Sequence, residues 1–305
     1  MKRMAFFLGK GGVGKTTLSS ATAYALARQG RRVLIASLDP AHNLGDVFES
    51  PLGNEPRRLA DGLDGLEVDI AAWVARYLEQ SRIEIKAHYA YTMSLNLDSL
   101  LDILKYAPGT EEYAVLWAIE HIFQAYGPSY DCLVMDTPPT ALTLRFLAMP
   151  SLSILWVREL AKMRERILEK RTTLLKVNPD ATVLKGATEK GEDRVYGKLS
   201  SIQERLHRLH DLFVRESYLT VVLNPDELSL AESLRIREEL SRLGLTIRSL
   251  CLNKAAPAAP LPGNLSERFR EIPIFPSHFR LEGVHGLEDL GRVDVSGLVG
   301  HLQQA

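Results

Sequence analysis

One short segment near the amino end, GKGGVGKTT from Gly9 to Thr17, constrains the fold of this chain more than any other. A short apolar run, Met4 to Leu8, comes before it, and an alanine-rich stretch that stops at Gly30 follows it. Glycine permits the backbone conformations of a tight loop and lets a ligand come close to the main chain. This order predicts a strand, a loop and a helix in succession.

The same segment satisfies the spacing G-x-x-x-x-G-K-[ST] through Gly9, Gly14, Lys15 and Thr16. In that pattern the backbone N–H groups turn inward around phosphates, and the dipole of the following helix favours the same negative charge. We expect the lysine to reach the β- and γ-phosphates of ATP and the threonine hydroxyl to ligate Mg²⁺. The expected phosphate-loop residues are Gly11, Gly12, Val13, Gly14, Lys15, Thr16 and Thr17.

Two later apolar runs, residues 33–38 and 132–135, each end at an aspartate, Asp39 and Asp136. Open α/β sheets bind ligands at the carboxyl ends of their strands, so we expect both carboxylates beside the phosphate loop. Asp39 is suited to orienting the attacking water, with Asn43 donating hydrogen bonds nearby. Asp136 is suited to coordinating Mg²⁺ through a water. Helix capping is an equally good interpretation of either aspartate taken alone.

The alternation of apolar runs with helical patterns predicts a doubly wound α/β fold with a mostly parallel sheet. Further strands are expected at 66–70, as an edge strand, and at 218–223, 246–252 and 272–275. Polar residues at 177–198 predict a loop, and 255–263 a surface connector. We expect a single domain over residues 1–305, with helical insertions at about 71–126 and 151–216 that form a helical subdomain.

Charge and cysteine content narrow the class of protein. The chain has 37 basic and 38 acidic residues, which provides no field that favours nucleic acid or anionic lipid. Its two cysteines, Cys132 and Cys251, lie far apart in apolar stretches, which argues against a disulfide framework and a zinc site. We expect no signal peptide and no apolar run near the ~20 residues of a membrane span. These features favour a cytoplasmic protein.

A second lysine, Lys10, stands at the start of the loop, and the segment KGGVGKTT resembles the deviant Walker-A class of phosphate-loop ATPases. The resemblance implies that Lys10 contacts nucleotide held by the opposing subunit of a homodimer, as an arginine finger supplied in trans does. The alternative is a solvated surface lysine.

Longer segments resemble the arsenite-pump and tail-anchored-protein-targeting ATPases, over most of the chain. They are GKGGVGKTT, DPAHNLGD, PGTEE, DTPPTALTLRFL, NPDELSLAESLRIREEL, LNK and PSHFRLEGVHGLEDL. The resemblance implies ATP and Mg²⁺ as cofactors and Asp39 as the hydrolytic carboxylate. It places Asn253 and the loop of Pro276 and Ser277 near adenine, and Asp226 near the nucleotide shared by the dimer.

Three functions compete. The leading one is an ATP-driven homodimeric targeting factor whose client is a hydrophobic segment of a membrane protein, with a membrane receptor as a further partner. The second is the soluble ATPase subunit of an arsenite efflux pump, against which the two core-strand cysteines argue. The third is a partition or positioning ATPase, which needs a basic DNA face or a carboxyl-terminal membrane helix that the tail GHLQQA does not supply.

Two amphipathic segments bear on the client. Each repeats apolar residues near helical spacing, with charges between them. The first has Leu152, Leu155, Leu160, Met163, Ile167 and Leu174, and the second has Leu199, Ile202, Leu206, Leu209 and Phe213. Such faces form either a groove for a hydrophobic segment or an ordinary core between the two helices, and the residues alone leave both interpretations open.

Overall fold

The computed structural model describes residues 3–41, 43–88, 103, 105, 107–177, 187–256, 265–278 and 283–305. Two compact units are present: Met1–Phe146 with Glu216–Ala305, and Leu147–Arg215. The expected insertion at 71–126, the loop at 177–198 and the connector at 255–263 each lie partly outside the described residues. The expected single domain with a helical subdomain stays a prediction.

The first unit is built on an eight-stranded sheet, which confirms the predicted α/β class. The strand order is β3-β4-β2-β5-β1-β6-β7-β8, and β3 is antiparallel to β4 while the other neighbours are parallel. The strands are Met4–Leu8 (β1), Val33–Ser37 (β2), Arg57–Ala60 (β3), Leu63–Glu67 (β4), Cys132–Asp136 (β5), Ser217–Leu223 (β6), Ile247–Ala255 (β7) and Ile274–His278 (β8).

The middle of the sheet explains why its strands are continuous apolar runs in the sequence. Every residue of β1, β2, β5 and β6 is buried. Parallel strands covered by helices on both faces lack the alternation of apolar and polar residues that a half-exposed strand shows. The carboxyl ends of these strands therefore meet at one protected edge, where the polar residues that follow them gather.

Helices follow most of the strands. In chain order they are Lys15–Arg28 (α1), Leu44–Phe48 (α2), Ile70–His88 (α3), Thr110–His121 (α4), Thr140–Val177 (α5), Arg194–Asp211 (α6), Glu227–Arg242 (α7), Leu265–Arg268 (α8), Gly286–Gly291 (α9) and Ser296–Gln304 (α10). Pro150 lies inside α5, which continues through it from Thr140 to Val177.

The expected edge strand at 66–70 was wrong in position. Its chain region forms a hairpin of β3 and β4, with the strand ending at Glu67 and Gly62 in the left-handed region (φ 71°) at the turn. Asp69 accepts a hydrogen bond from the N–H of Ala72 at 3.0 Å. Because an aspartate there caps a helix, residue 70 starts α3 instead of ending a strand.

The second unit contains most of α5 and all of α6. Ile154 and Val157 of α5 form a buried cluster with Leu206 of α6. Arg164 holds Asp193, the N-cap residue of α6, with two hydrogen bonds of 3.0 and 2.7 Å. A bidentate arginine–carboxylate pair fixes geometry as well as charge, so it sets where α6 begins against α5.

In the part of the chain that the structure describes, one helix is long and apolar enough to cross a membrane, by length and composition only. An 18-residue window in Thr140–Val177 has a mean hydropathy of 1.4, and 44% of that window is buried. The expectation that no run approaches a membrane span was therefore too strong. A single helix of this kind is weak evidence, since the core helix of a soluble protein passes the same test.

Candidate functional site

The glycine loop between β1 and α1 is fixed by close contacts with two other strands. Gly9 has φ 150°, and a Cβ there would lie 2.3 Å from the carbonyl oxygen of Val222 in β6. Gly14 has φ 93°, and a Cβ there would lie 2.2 Å from Nδ2 of Asn253 in β7. Both positions exclude any larger residue, so the loop passes tightly over the ends of these strands.

A cavity of about 450 Å³ opens beside the loop. Of the predicted site residues, those that line it are Gly11, Gly12, Gly14, Lys15, Thr16, Thr17, Asp39, Asn43, Asn253 and Ser277. Those that do not line it are Lys10, Val13, Asp136, Asp226 and Pro276. The phosphate loop, the segment after β2 and the ends of β7 and β8 are thus brought together around one space, within the first unit.

Lys15 is the buried cation of this cavity. Lys15 is only 6% exposed, and its Nζ donates a hydrogen bond to the backbone oxygen of Lys10 at 3.3 Å. Burial lowers the pKa of Lys15, and the negative charges of Asp136 and Asp39 oppose that shift. A cation that loses its hydration in this way is stabilised by an anionic ligand such as a phosphate.

Asp136 lies behind the loop, at the end of β5. Its Oδ2 accepts a hydrogen bond from Oγ1 of Thr16 at 2.8 Å and a longer one from Ser37 at 3.5 Å. Burial raises the pKa of Asp136 to about 7, although the bond from Thr16 and the charge of Lys15 oppose the shift. Oδ1 is buried without a hydrogen-bond partner among the described residues.

The fit of Mg²⁺ to this site follows from those atoms. The ion prefers oxygen ligands and keeps several of its waters when a protein binds it. The hydroxyl of Thr16 and the unpartnered Oδ1 of Asp136 supply a direct ligand and an acceptor for a bound water. The donor set is therefore of the right chemistry for the ion that the sequence predicts.

Asp39 and Asn43 flank the cavity on a segment that follows β2. Asp39 donates its N–H to Oγ of Ser37 at 3.3 Å, and its Oδ1 accepts the N–H of Ala41 at 3.1 Å. Asn43 is exposed and makes no side-chain capping bond to α2. Residue His42, within the DPAHNLGD segment, lies outside the described residues. Asp39 and Asn43 both line the space next to the phosphate loop.

The far end of the cavity is formed by β7 and β8. Asn253 donates from Nδ2 to the backbone oxygen of Val13 at 2.7 Å, so it braces the phosphate loop. Ser277 is buried and lines the cavity, whereas Pro276 is exposed and faces away from it. Of the expected adenine contacts, Asn253 and Ser277 therefore both line this end of the cavity, and Pro276 does not.

Asp226 lies apart from the cavity, as the N-cap of α7. It accepts the N–H and the hydroxyl of Ser229, both at 2.8 Å. The bond from the Ser229 backbone lowers the pKa of Asp226, and the positive charge of Lys10 contributes to the same shift. The structure thus brings the signature lysine near this carboxylate within one chain.

Sequence reasoning missed two residues that hold the site together. Lys254 follows Asn253 in a left-handed conformation (φ 55°) and donates to the backbone oxygen of Gly12 at 3.3 Å. Ser37 contacts both Asp136 and the backbone of Asp39. The LNK segment around Asn253 was a usable signal for the lysine, but the serine is the last residue of an apolar strand and gives none.

Comparisons with known proteins agree with this geometry. Residues 2–272 match the anion-transporting ATPase family. A putative arsenical pump-driving ATPase 2 of Aquifex aeolicus is 31% identical over 258 residues, covering 85% of this chain and 82% of the relative. An ATPase ASNA1 homolog of Entamoeba histolytica is 29% identical over 262 residues, covering 83% of this chain and 76% of the relative.

A third relative, a putative arsenical pump-driving ATPase of Chlorobaculum tepidum, is 31% identical over 271 residues, covering 87% of this chain and 64% of its own length. The family match extends over the phosphate loop, both strand-end aspartates and the Asn253 region. The chain therefore belongs to the anion-transporting ATPase family and is an ATP-hydrolysing enzyme.

Proposed function

We propose that the chain hydrolyses ATP as a cytoplasmic homodimer whose nucleotide state controls the binding and delivery of a hydrophobic membrane-protein segment. The observation that carries the client is an exposed apolar face on α5, in the unit Leu147–Arg215. The observation that carries the ATPase site is the cavity around Lys15.

In this proposal the loop from Gly11 to Thr17 cradles the phosphates of ATP with its N–H groups, and Lys15 neutralises their charge. Thr16 holds Mg²⁺ directly and Asp136 holds it through water. When bound, Mg²⁺ would supply positive charge that offsets the negative charge developing on the phosphates. The support is the buried cation and the unpartnered carboxylate oxygen described above.

Asp39 is proposed to orient the attacking water, with Asn43 donating a hydrogen bond beside it. Asn253 and Ser277 are proposed to contact adenine, and Pro276 to shape the same loop. The support is the common cavity that the side chains of Asp39, Asn43 and Ser277 line with the phosphate loop.

A homodimer is proposed because Lys10 does not line the nucleotide cavity of its own chain. It is half-buried, does not line that space and offers its backbone oxygen to Lys15. A charged side chain at the start of a phosphate loop that does not line its own cavity is a candidate to act on nucleotide held by a partner subunit. Asp226, near Lys10, is proposed to lie at the same shared site.

The structure separates the two apolar stripes. In α6, Leu206, Leu209 and the following Phe213 are buried. In α5 the stripe is exposed on the side away from the buried cluster with α6. Its members, each between 42% and 72% exposed, are Leu152, Leu155, Trp156, Leu160, Met163, Ile167 and Leu174. These exposures favour the core interpretation for the second stripe and support a partner-binding role for the first.

The length of the exposed stripe favours a membrane segment as that partner. From Leu152 to Leu174 it extends for about 33 Å at the ~1.5 Å rise of a helix. A transmembrane helix needs about 20 apolar residues to cross a core of ~30 Å. A row of exposed large apolar side chains is a feature of interaction sites, and an exposed methionine adapts to varied apolar partners.

A second candidate function is driving an arsenical pump, because two of the relatives above are named putative arsenical pump-driving ATPases. Both cysteines of this chain are buried, and burial raises the pKa of each thiol to about 12. The thiolate is the form that ligates a soft metalloid, so these cysteines are poorly placed for that purpose.

The experiment that tests the proposal is co-expression with a tail-anchored membrane segment, followed by purification with ATP or ADP. We expect a soluble complex whose yield depends on the nucleotide. Leu155→Asp combined with Met163→Asp should abolish the complex, because a charge on the stripe opposes apolar contact. The matched control is Leu228→Asp, at an exposed leucine of α7 in the other unit, which should leave the complex intact.

The outcomes separate the two candidates. Loss of the complex only in the stripe variant supports the proposal. No complex with the unmodified chain contradicts the client, and stimulation of ATP hydrolysis by arsenite or antimonite in that case favours the pump. Equal loss in the control variant shows that the stripe is not the site of contact.

A further inference from the structure

Three neighbouring strands end in register at the edge that carries the nucleotide cavity. Ser37 of β2 pairs with Asp136 of β5 on one side and with Glu67 of β4 on the other. Each of these three residues binds a different part of the site. Asp136 accepts the hydroxyl of Thr16, and Ser37 accepts the N–H of Asp39. The third residue, Glu67, contacts the backbone of Gly45.

Glu67 accepts the backbone N–H of Gly45 through Oε1 at 2.9 Å. The residue is only 6% exposed, so this carboxylate is held inside the protein and not in solvent. The space beside Gly45 is narrow, since a Cβ there would lie 3.0 Å from the backbone oxygen of Ser50 and 3.8 Å from both carboxylate oxygens of Glu67.

The segment that carries Asp39 and Asn43 is therefore anchored at both ends. Ser37 holds the backbone at Asp39, and Glu67 holds it at Gly45, two residues beyond Asn43. Glu67 itself does not line the nucleotide cavity. Its hydrogen bond to Gly45 connects it to hydrolysis through the backbone of this segment.

We propose that Glu67 is a positioning residue for ATP hydrolysis, which fixes the carboxyl-terminal anchor of the Asp39–Asn43 segment by accepting the N–H of Gly45. This inference rests on the proposed roles of Asp39 and Asn43. Removal of the carboxylate leaves the N–H of Gly45 without its acceptor and frees one end of the segment. Displacement of a catalytic group by about 1 Å costs on the order of 100-fold in rate.

The kinetic test uses the full chain and three substitutions of one residue. Glu67→Ala should lower kcat for ATP by about 10- to 100-fold and leave the KM within about 3-fold, because the phosphate loop keeps its own contacts. Glu67→Gln keeps an acceptor oxygen at the same distance and should recover most of the rate. Glu67→Asp keeps the charge on a shorter side chain and should remain slow.

A second readout does not depend on hydrolysis. Hydrogen exchange followed by mass spectrometry reports peptides that cover residues 38–49. These peptides should exchange faster in Glu67→Ala and at the parent rate in Glu67→Gln. The matched control is Glu112→Ala, which removes another buried carboxylate of the first unit, one paired with Arg145 and without a contact to this segment. It should leave both the exchange of residues 38–49 and kcat unchanged.

Unchanged exchange of residues 38–49 in Glu67→Ala overturns the inference, and so does a KM that rises as much as kcat falls. If Glu67→Ala speeds exchange but leaves kcat at the parent value, the positioning role is likewise wrong. The proposed role of Asp39 is tested separately: an active Asp39→Asn contradicts it whatever Glu67→Ala does.

Discussion

Gly9→Ala is the substitution whose effect the structure defines most sharply. Gly9 joins β1 to the phosphate loop in a conformation (φ 150°) that L side chains rarely adopt. The added Cβ would lie 2.3 Å from the carbonyl oxygen of Val222, a separation that real Cβ atoms essentially never show. That oxygen belongs to the main chain of β6, which pairs with β1. The clash is relieved only if two central strands move apart.

The expected cost follows from two effects. Forcing an extra methyl group into a packed site costs about 1 to 3 kcal/mol. Holding a non-glycine residue in a sparsely populated backbone region costs about 1 to 3 kcal/mol more. The sum, about 2 to 6 kcal/mol, is a large share of the 5 to 15 kcal/mol that stabilises a typical domain.

The assay is thermal unfolding of the nucleotide-free chain, with a fluorescent ATP analogue to measure binding. We expect Gly9→Ala either to unfold at a Tm lower by roughly 5 °C or more, or to be recovered only as insoluble protein. The control is Gly11→Ala, where a Cβ meets no atom within 4 Å. It should keep the parent Tm but bind the analogue more weakly, since Gly11 lines the cavity. A soluble Gly9→Ala variant with the parent Tm and affinity would refute the reasoning.

Three further predictions concern the site and the cysteines. Asp39→Asn should bind ATP and Mg²⁺ without turnover and sediment as a dimer of about twice the 34.0 kDa chain mass, and a monomer under those conditions contradicts the closed-dimer account. Thr16→Ala removes the hydroxyl that bonds to Asp136, so it should lower Mg²⁺-dependent ATPase activity by at least about 100-fold; parent activity across a Mg²⁺ titration would argue against Thr16 as a ligand. The buried thiols of Cys132 and Cys251 should not react with a thiol reagent at pH 8 until denaturant is added, whereas rapid reaction in the native state would mean that these strands open.

The order of strands and loops could be predicted from the sequence because buried parallel strands consist of continuous apolar runs. The runs at Met4–Leu8 and Cys132–Asp136 have sharp ends, since the polar residues after them must leave the core. The edge hairpin was harder to recognise. β3 has two exposed arginines and no buried residue, so its pairing depends on β4 and not on a pattern of its own.

The candidate site likewise has one part that the sequence predicts and another that it does not. A phosphate loop needs its lysine and hydroxyl residues at fixed spacing, so the sequence alone was enough to place Lys15 and Thr16 in the candidate site. The contacts that brace the site cross between strands far apart in the chain. Glu67 and Gly45 are 22 positions apart, and Asn253 and Val13 are 240 apart. No local pattern records such pairs, because they form only when the sheet is assembled.

The exposed face of α5 was the other feature that sequence alone left open. Both amphipathic stripes have the same spacing, and the spacing does not say which one is covered. In the structure Leu206 is 5% exposed and Trp156 is 72% exposed. The difference arises because α5 presents Ile154 and Val157, and not the Trp156 side, to α6.

The central claim, a dimer in which each Lys10 serves the opposite subunit, is tested most directly by mixing two inactive variants. Lys10→Ala and Asp39→Asn should each lose at least about 1,000-fold in turnover alone. In a mixed dimer, the Lys10→Ala subunit keeps its own Asp39 and receives Lys10 from its partner. Random pairing makes half of the dimers mixed, with one intact site of two, so activity should return to about 25% of the parent. No recovery, with mixed dimers shown to form, would contradict the account and place Lys10 at its own nucleotide.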